Sequence, residues 1–164
     1  MGRLAMIGAA AWLAAGAVAA QDASAPRAAT AAAETPSPSR QDGWQTFSQS
    51  GSSTFLVNLA GADRVGDERE VTVARVPRSG SNYTHALDRF EIRCGARETR
   101  LASSTDVYED GEAGDSFPSD EPWTPVERGA FDDILREMVC EDASPRGRAF
   151  ADIKAFIDAG RPFE

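Results

Sequence analysis

The sequence predicts an α+β fold: a single antiparallel β-sheet of about five to six strands, a C-terminal α-helix packed on one face, and an extra C-terminal helix. Three observations predict it. Between Trp44 and Tyr108, short runs of β-branched, aromatic and alternating residues are separated by Gly, Ser and Asn turns, a spacing of hairpins rather than of βαβ units. Phe131, Ile134, Leu135, Met138 and Val139 recur at the three- and four-residue spacing of one apolar helix stripe. Cys94 and Cys140 close the clearest strand and that helix.

Residues 1–20 have the three parts of a secretory signal: Arg3 as the charge, an apolar run Leu4–Val18, and small residues Ala17–Ala20 for cleavage. The run is shorter than the roughly 20 residues of a membrane-spanning helix, so no stable membrane insertion is expected after cleavage. No Cys follows the run to take a lipid anchor. Losing Arg3 with the signal would move the net charge from −9 to −10. Residues 21–42 are expected to be a disordered linker. Ala23–Asp42 contains seven Ala, three Pro, three Ser and two Thr, too little apolar surface to offset the entropy of ordering.

The folded domain is expected over residues 43–142, near the commonest domain size. Trp44–Ser48 and Thr54–Leu59 read as the first strands, joined by Gln49-Ser50-Gly51-Ser52, with Phe55, Val57 and Leu59 on one face. One helical turn is expected at Ala60–Asp63, then a reversal at Gly66-Asp67. Arg69–Pro77 places Val71 and Val73 on one side, and Pro77 ends it. In His85–Cys94 the residues Phe90, Ile92 and Cys94 alternate with Arg89, Glu91 and Arg93, the pattern of a half-buried antiparallel strand. Glu98–Tyr108 follows, with Leu101, Ser103, Thr105 and Val107 expected on one face.

Ala130–Cys140 is the long helix, with Asp132 and Asp133 in the first turn where the helix dipole favours acid. Its apolar stripe needs one face of the sheet. In the tail, residues 143–164, Ser144-Pro145 has the form of an N-cap and first turn. A second helix is expected from there to about Asp158, lined by Phe150, Ile153 and Ile157, with Gly160 and Pro162 stopping it. It either docks on remaining apolar surface or serves a partner or a dimer.

Cys94 and Cys140 are read as a structural disulfide. Exported chains meet an oxidising space, and the pair is too far apart in sequence for a CxxC redox motif. A helix lying on the Phe90/Ile92 face would bring Cys140 to Cys94. The alternative is two buried free thiols.

Glu109, Asp110, Glu112, Asp115, Asp120 and Glu121 crowd one segment among Gly111, Gly114 and Pro118. It reads as a solvated hairpin loop. Calcium would need six to eight oxygens, and the spacing does not match a twelve-residue EF-hand loop. The segment also suits a basic partner. His85 is the sole histidine; a triad with Ser103 and Asp106 has no supporting motif. No catalytic, cofactor or metal motif is found, and no cofactor is expected. With 26 acidic and 17 basic residues, the chain repels phosphate backbones, so no nucleic acid is expected as partner.

The succession Trp44, "FLVNLAGADR", "GDEREVTVARV", "FEIRC", "YEDG", "WTPV" and "LREMVC" resembles the surface-adhesin protein E family, small exported proteobacterial domains, over Trp44–Cys140. The resemblance implies an antiparallel sheet under a C-terminal helix, with Cys94, Trp123 and Cys140 as architectural positions, and dimers. It further implies adhesion to host extracellular-matrix and plasma proteins. The chain departs from the namesake in having no lipidation Cys and a longer tail after Cys140. The function expected is a non-enzymatic module, in the periplasm or on the surface of a Gram-negative cell. Such a module binds a protein partner, basic or matrix-like, forms a homodimer, or has a structural role. The alternative is a small periplasmic enzyme inhibitor or a hydrolase-like enzyme.

Overall fold

The computed structural model describes residues 42–163; the expected signal and all of the expected linker but its last residue lie outside the described residues. In chain order the strands are β1 (Trp44–Gln49), β2 (Ser53–Val57), β3 (Asp63–Val65), β4 (Glu68–Pro77), β5 (His85–Arg93), β6 (Glu98–Val107), β7 (Ala113–Pro118), β8 (Thr124–Pro125) and β9 (Ala149–Phe150). The helices are α1 (Phe131–Cys140) and α2 (Ile153–Asp158), and Leu59–Gly61 forms a single 3-10 turn. All strands join one antiparallel sheet in the order β7-β6-β5-β4-β2-β1-β9, with β3 on β4 and β8 on β6. The sheet has nine strands, against the five to six expected. The five long runs read from the sequence are all present; the additions β3, β8 and β9 are two or three residues each, and β7 has six.

Alternating side chains divide the core between the two faces. On one face Val57, Val71, Val73 and Ile92 meet Leu135, Met138 and Val139 of α1. Phe131 stands among Phe47, Phe55 and Phe90 with ring centroids 5.3, 5.0 and 5.7 Å away. Burying each of these large side chains contributes roughly 1.5–3 kcal/mol. Ile134, expected in the stripe, lies at its margin and is 37% exposed.

On the opposite face Leu56, Ala74 and Val76 meet Phe150, Ile153 and Phe156. The tail therefore completes the second core, and its start differs from the expectation. Helix α2 begins at Ile153, not near Pro145, and its N-cap is Asp152, whose Oδ1 accepts from Ala155 N at 2.6 Å. Phe150 lies on β9, paired with Trp44 of β1. The edge of β1 offers free backbone groups, and Gly147 lets the chain approach it: a Cβ there would stand 1.8 Å from Thr46 Oγ1. Strand pairing to β1 overrides the local helix signal.

One further expectation fails. The β5–β6 register shifts between Arg89 and Phe90, so Phe90 opposes Leu101 while Arg89 opposes Ser103. The bulge at Ala102 turns Leu101 to the α1 face, while Ser103, Thr105 and Val107 point to the other.

Candidate functional site

Helix α1 is fastened to the sheet at both ends. At its C-terminus Cys140 is disulfide-bonded to Cys94, just beyond β5, with a Cα–Cα distance of 5.7 Å. Near its N-terminus Asp133 is buried and accepts from Gly129 N at 2.9 Å, Arg97 Nη2 at 2.8 Å and Arg136 Nε at 3.3 Å. Those contacts, led by the Gly129 N–H, hold its carboxyl below the usual carboxylate range. Arg136, also buried, donates to Glu141 at 2.6 Å. Burial opposes its charge, but Glu141 and Asp133 together raise its pKa. Arg97 reaches Asp133 from a left-handed backbone conformation, φ 55°, in the β5–β6 turn.

The α1 face continues beyond the helix as a polar row crossing the strands. Arg75 Nε donates to Asp88 Oδ2 at 2.8 Å, and Ser104 Oγ donates to Asp88 Oδ1 at 2.6 Å. Tyr83 OH accepts from Arg75 Nη1 at 3.3 Å. Ser104 opposes Phe117 of β7, so the row ends at a phenyl ring that is 63% exposed. Asp88 is itself 6% exposed, hence the row is a satisfied ion pair rather than an open acid.

Strand β7 is the edge of the sheet, and the acidic segment is built around it. The β6–β7 turn closes through Tyr108 N to Glu112 O at 3.0 Å and Gly111 N to Tyr108 O at 3.0 Å. Gly111, at φ 83°, supplies the left-handed residue of the three-residue loop, 109–111, inside the Tyr108/Glu112 pair. Ser119 N donates to Ala102 O at 2.9 Å. By antiparallel alternation, the backbone N–H and C=O of Ser116 therefore face outward. Pro118, two residues on, offers no donor.

All six candidate acids, Glu109, Asp110, Glu112, Asp115, Asp120 and Glu121, are exposed. The structure brings them to one sheet edge but not into a chelating cluster. Among the described residues no group of three or more His, Cys, Asp or Glu could hold a metal ion. Asp110 accepts from Glu112 N at 2.9 Å, a local turn contact. Glu121 acts at a distance on α1: burial first, and then the Glu121 charge, raise the pKa of Asp132.

On the opposite face the charges are paired. Arg93 meets Glu68 at 3.0 Å and Glu98 at 3.4 Å, and Arg100 meets Glu91 at 2.6 Å. Trp123 lies on both guanidiniums, its ring centroid 3.9 Å from Arg93 Cζ and 4.6 Å from that of Arg100. His85, lowered in pKa by burial, has Nδ1 2.9 Å from Thr84 Oγ1. The register puts Asp106 opposite Ala86, on the face away from His85 and Ser103. The three residues of the imagined triad are not brought together.

Two parts of this surface were not read from the residues. Phe117 sits in "AGDSFP", which has one large apolar residue and no apolar alternation; the Glu109-Asp110-Gly111 turn signal before it is what marks a returning strand. Arg97 carries no local signature, since its role depends on where α1 lands. No protein-family model, curated protein or solved structure matches the chain.

Proposed function

We propose that this chain is an exported, non-enzymatic module of a bacterial cell envelope that binds a protein partner along the β7 edge of its sheet. One observation carries the reading. An edge strand with outward-facing backbone groups at Ser116 and an exposed Phe117 is ringed by six exposed carboxylates, none of them in an ion pair among the described residues. Backbone pairing at an open edge supplies affinity, and side chains supply selectivity. A negative rim speeds the approach of a basic segment. Two copies meeting through β7 would set like charges face to face, which counts against a homodimer formed there.

The resemblance of residues 44–140 to the surface-adhesin protein E family supports the same class. The Cys94–Cys140 disulfide is compatible with an exported protein. No helix among the described residues is long and apolar enough to cross a membrane. The test is affinity capture from envelope extracts with the native chain and with a Glu112→Lys/Asp115→Lys variant. Partners recovered by the native chain and lost by the variant, at unchanged thermal stability, are the expected result. Equal recovery by both, or none by either, would overturn the proposal.

A further inference from the structure

Where β1 and β4 end, Gln49, Arg78, Gly160, Arg161 and Phe163 line a cleft of about 340 Å³. The backbone holds its walls. Arg78 N donates to Ser52 O at 2.9 Å, and Arg161 N donates to Phe156 O at 3.1 Å. Gly160 and Arg161 both adopt left-handed backbone, φ 85° and 57°, in turning the chain back past α2.

The chain carries a net charge of −9, yet among the described residues this cleft is lined by two arginines and no acid. Neither Arg78 nor Arg161 forms an ion pair among the described residues. The Nε of Arg161 is buried and has no acceptor among the described residues, an arrangement that native structures rarely leave unanswered. Nor is the guanidinium consumed in capping α2. The carbonyls of Ala155, Phe156 and Ile157 already accept from Ala159, Arg161 and Gly160. Two acids lie three residues from Arg161 in sequence: Asp158 is held by Lys154, and Glu164 lies outside the described residues. Gln49 Nε2 donates to Thr54 Oγ1 at 3.1 Å, which fixes the amide and leaves its second N–H.

The geometry points to an oxyanion site that takes a phosphate group, with Arg78 and Arg161 as its cationic arms and Gln49 as a neutral donor. Two guanidiniums match the charge of roughly −1.5 to −2 on a phosphate monoester near neutral pH better than the single charge of a carboxylate. Their planar forks bind such oxygens two at a time. The lining is mostly polar, and Phe163, 43% exposed, is its one aromatic residue among the described residues, the group an ester's substituent would meet. The phosphate is either free or the head of an aromatic or apolar ester.

The test is a titration of the oxidised full chain with inorganic phosphate and with phenyl phosphate, at constant ionic strength, followed by amide and arginine side-chain NMR shifts. Saturable shifts confined to residues 49, 78 and 160–163 are expected. Arg78→Ala and Arg161→Ala should each weaken phosphate at least tenfold, and Arg161→Lys less than Arg161→Ala. Tighter binding of phenyl phosphate assigns the ester as the natural form; equal or weaker binding assigns the free anion. The Glu112→Lys/Asp115→Lys variant should bind phosphate as the native chain does, which separates this site from the β7 edge. Shifts that do not saturate, shifts spread to Arg93 and Arg100, or an unchanged affinity in both alanine variants would overturn the proposal.

Discussion

Cutting the covalent link between β5 and α1 should weaken the domain severely without dissolving it. Cys94 and Cys140 are 46 residues apart in sequence. Closing a loop of that length restricts the unfolded chain by about 4 kcal/mol in the loop-entropy model, and measured effects commonly run to about 2–4 kcal/mol. The lower part of that range is favoured, because α1 remains held by Leu135, Met138 and Val139 in the core and by the Phe131 ring cluster. Asp133 also keeps its bonds to Gly129 and Arg97 when the sulfurs separate. For a domain of this size, about 2–4 kcal/mol corresponds to a fall in Tm on the order of 10 °C. The assay is urea unfolding and a thermal melt of the native chain with and without reductant, beside a Cys94→Ala/Cys140→Ala variant. Reductant should lower the native chain to the level of the variant and leave the variant unmoved. Equal midpoints in all four samples would refute the reasoning.

Other expectations follow from the same contacts. Phe131→Ala should destabilise by about 3 kcal/mol, read by urea unfolding, since it empties the space between three rings. Asp133→Asn should flatten the acid limb of stability against pH. The native carboxyl lies below its ordinary pKa, so its contribution is present above that ordinary value and is lost as pH falls through the folded one; a variant with an unchanged acid limb would contradict this. Asp152→Ala removes the α2 N-cap and should cost about 1 kcal/mol in the same unfolding assay. Trp123→Ala should cost about 1–2 kcal/mol by removing two half-exposed cation–π contacts, with faster hydrogen exchange along Glu98–Thr99 where β8 pairs.

What was legible in the sequence was whatever one period could express. Phe90 and Ile92 alternate with charge, and the Phe131-to-Val139 spacing repeats at helical period, so β5 and α1 stand within a residue of where they were expected. Their common face then brought the two cysteines together. The bulge at Ala102 was illegible because a shifted register changes which face a residue takes without changing the residue. Strand β9 was hidden for a different reason: Ser144-Pro145 and the Phe150/Ile153/Ile157 spacing favour a helix locally, and only the free edge of β1 reverses that. The acids of the β7 hairpin were visible as a cluster, while the open strand beneath them was not. Acid is the very means by which a sheet edge is kept from pairing indiscriminately.

The most direct measurement of the central claim is site-specific photo-crosslinking in the intact envelope. A photoreactive residue replaces Phe117 in one variant and Val65, which is 77% exposed on β3, in a second. A discrete adduct from position 117 and none from position 65 is the predicted result. Adducts of equal yield from both positions, or none from position 117, would contradict the account.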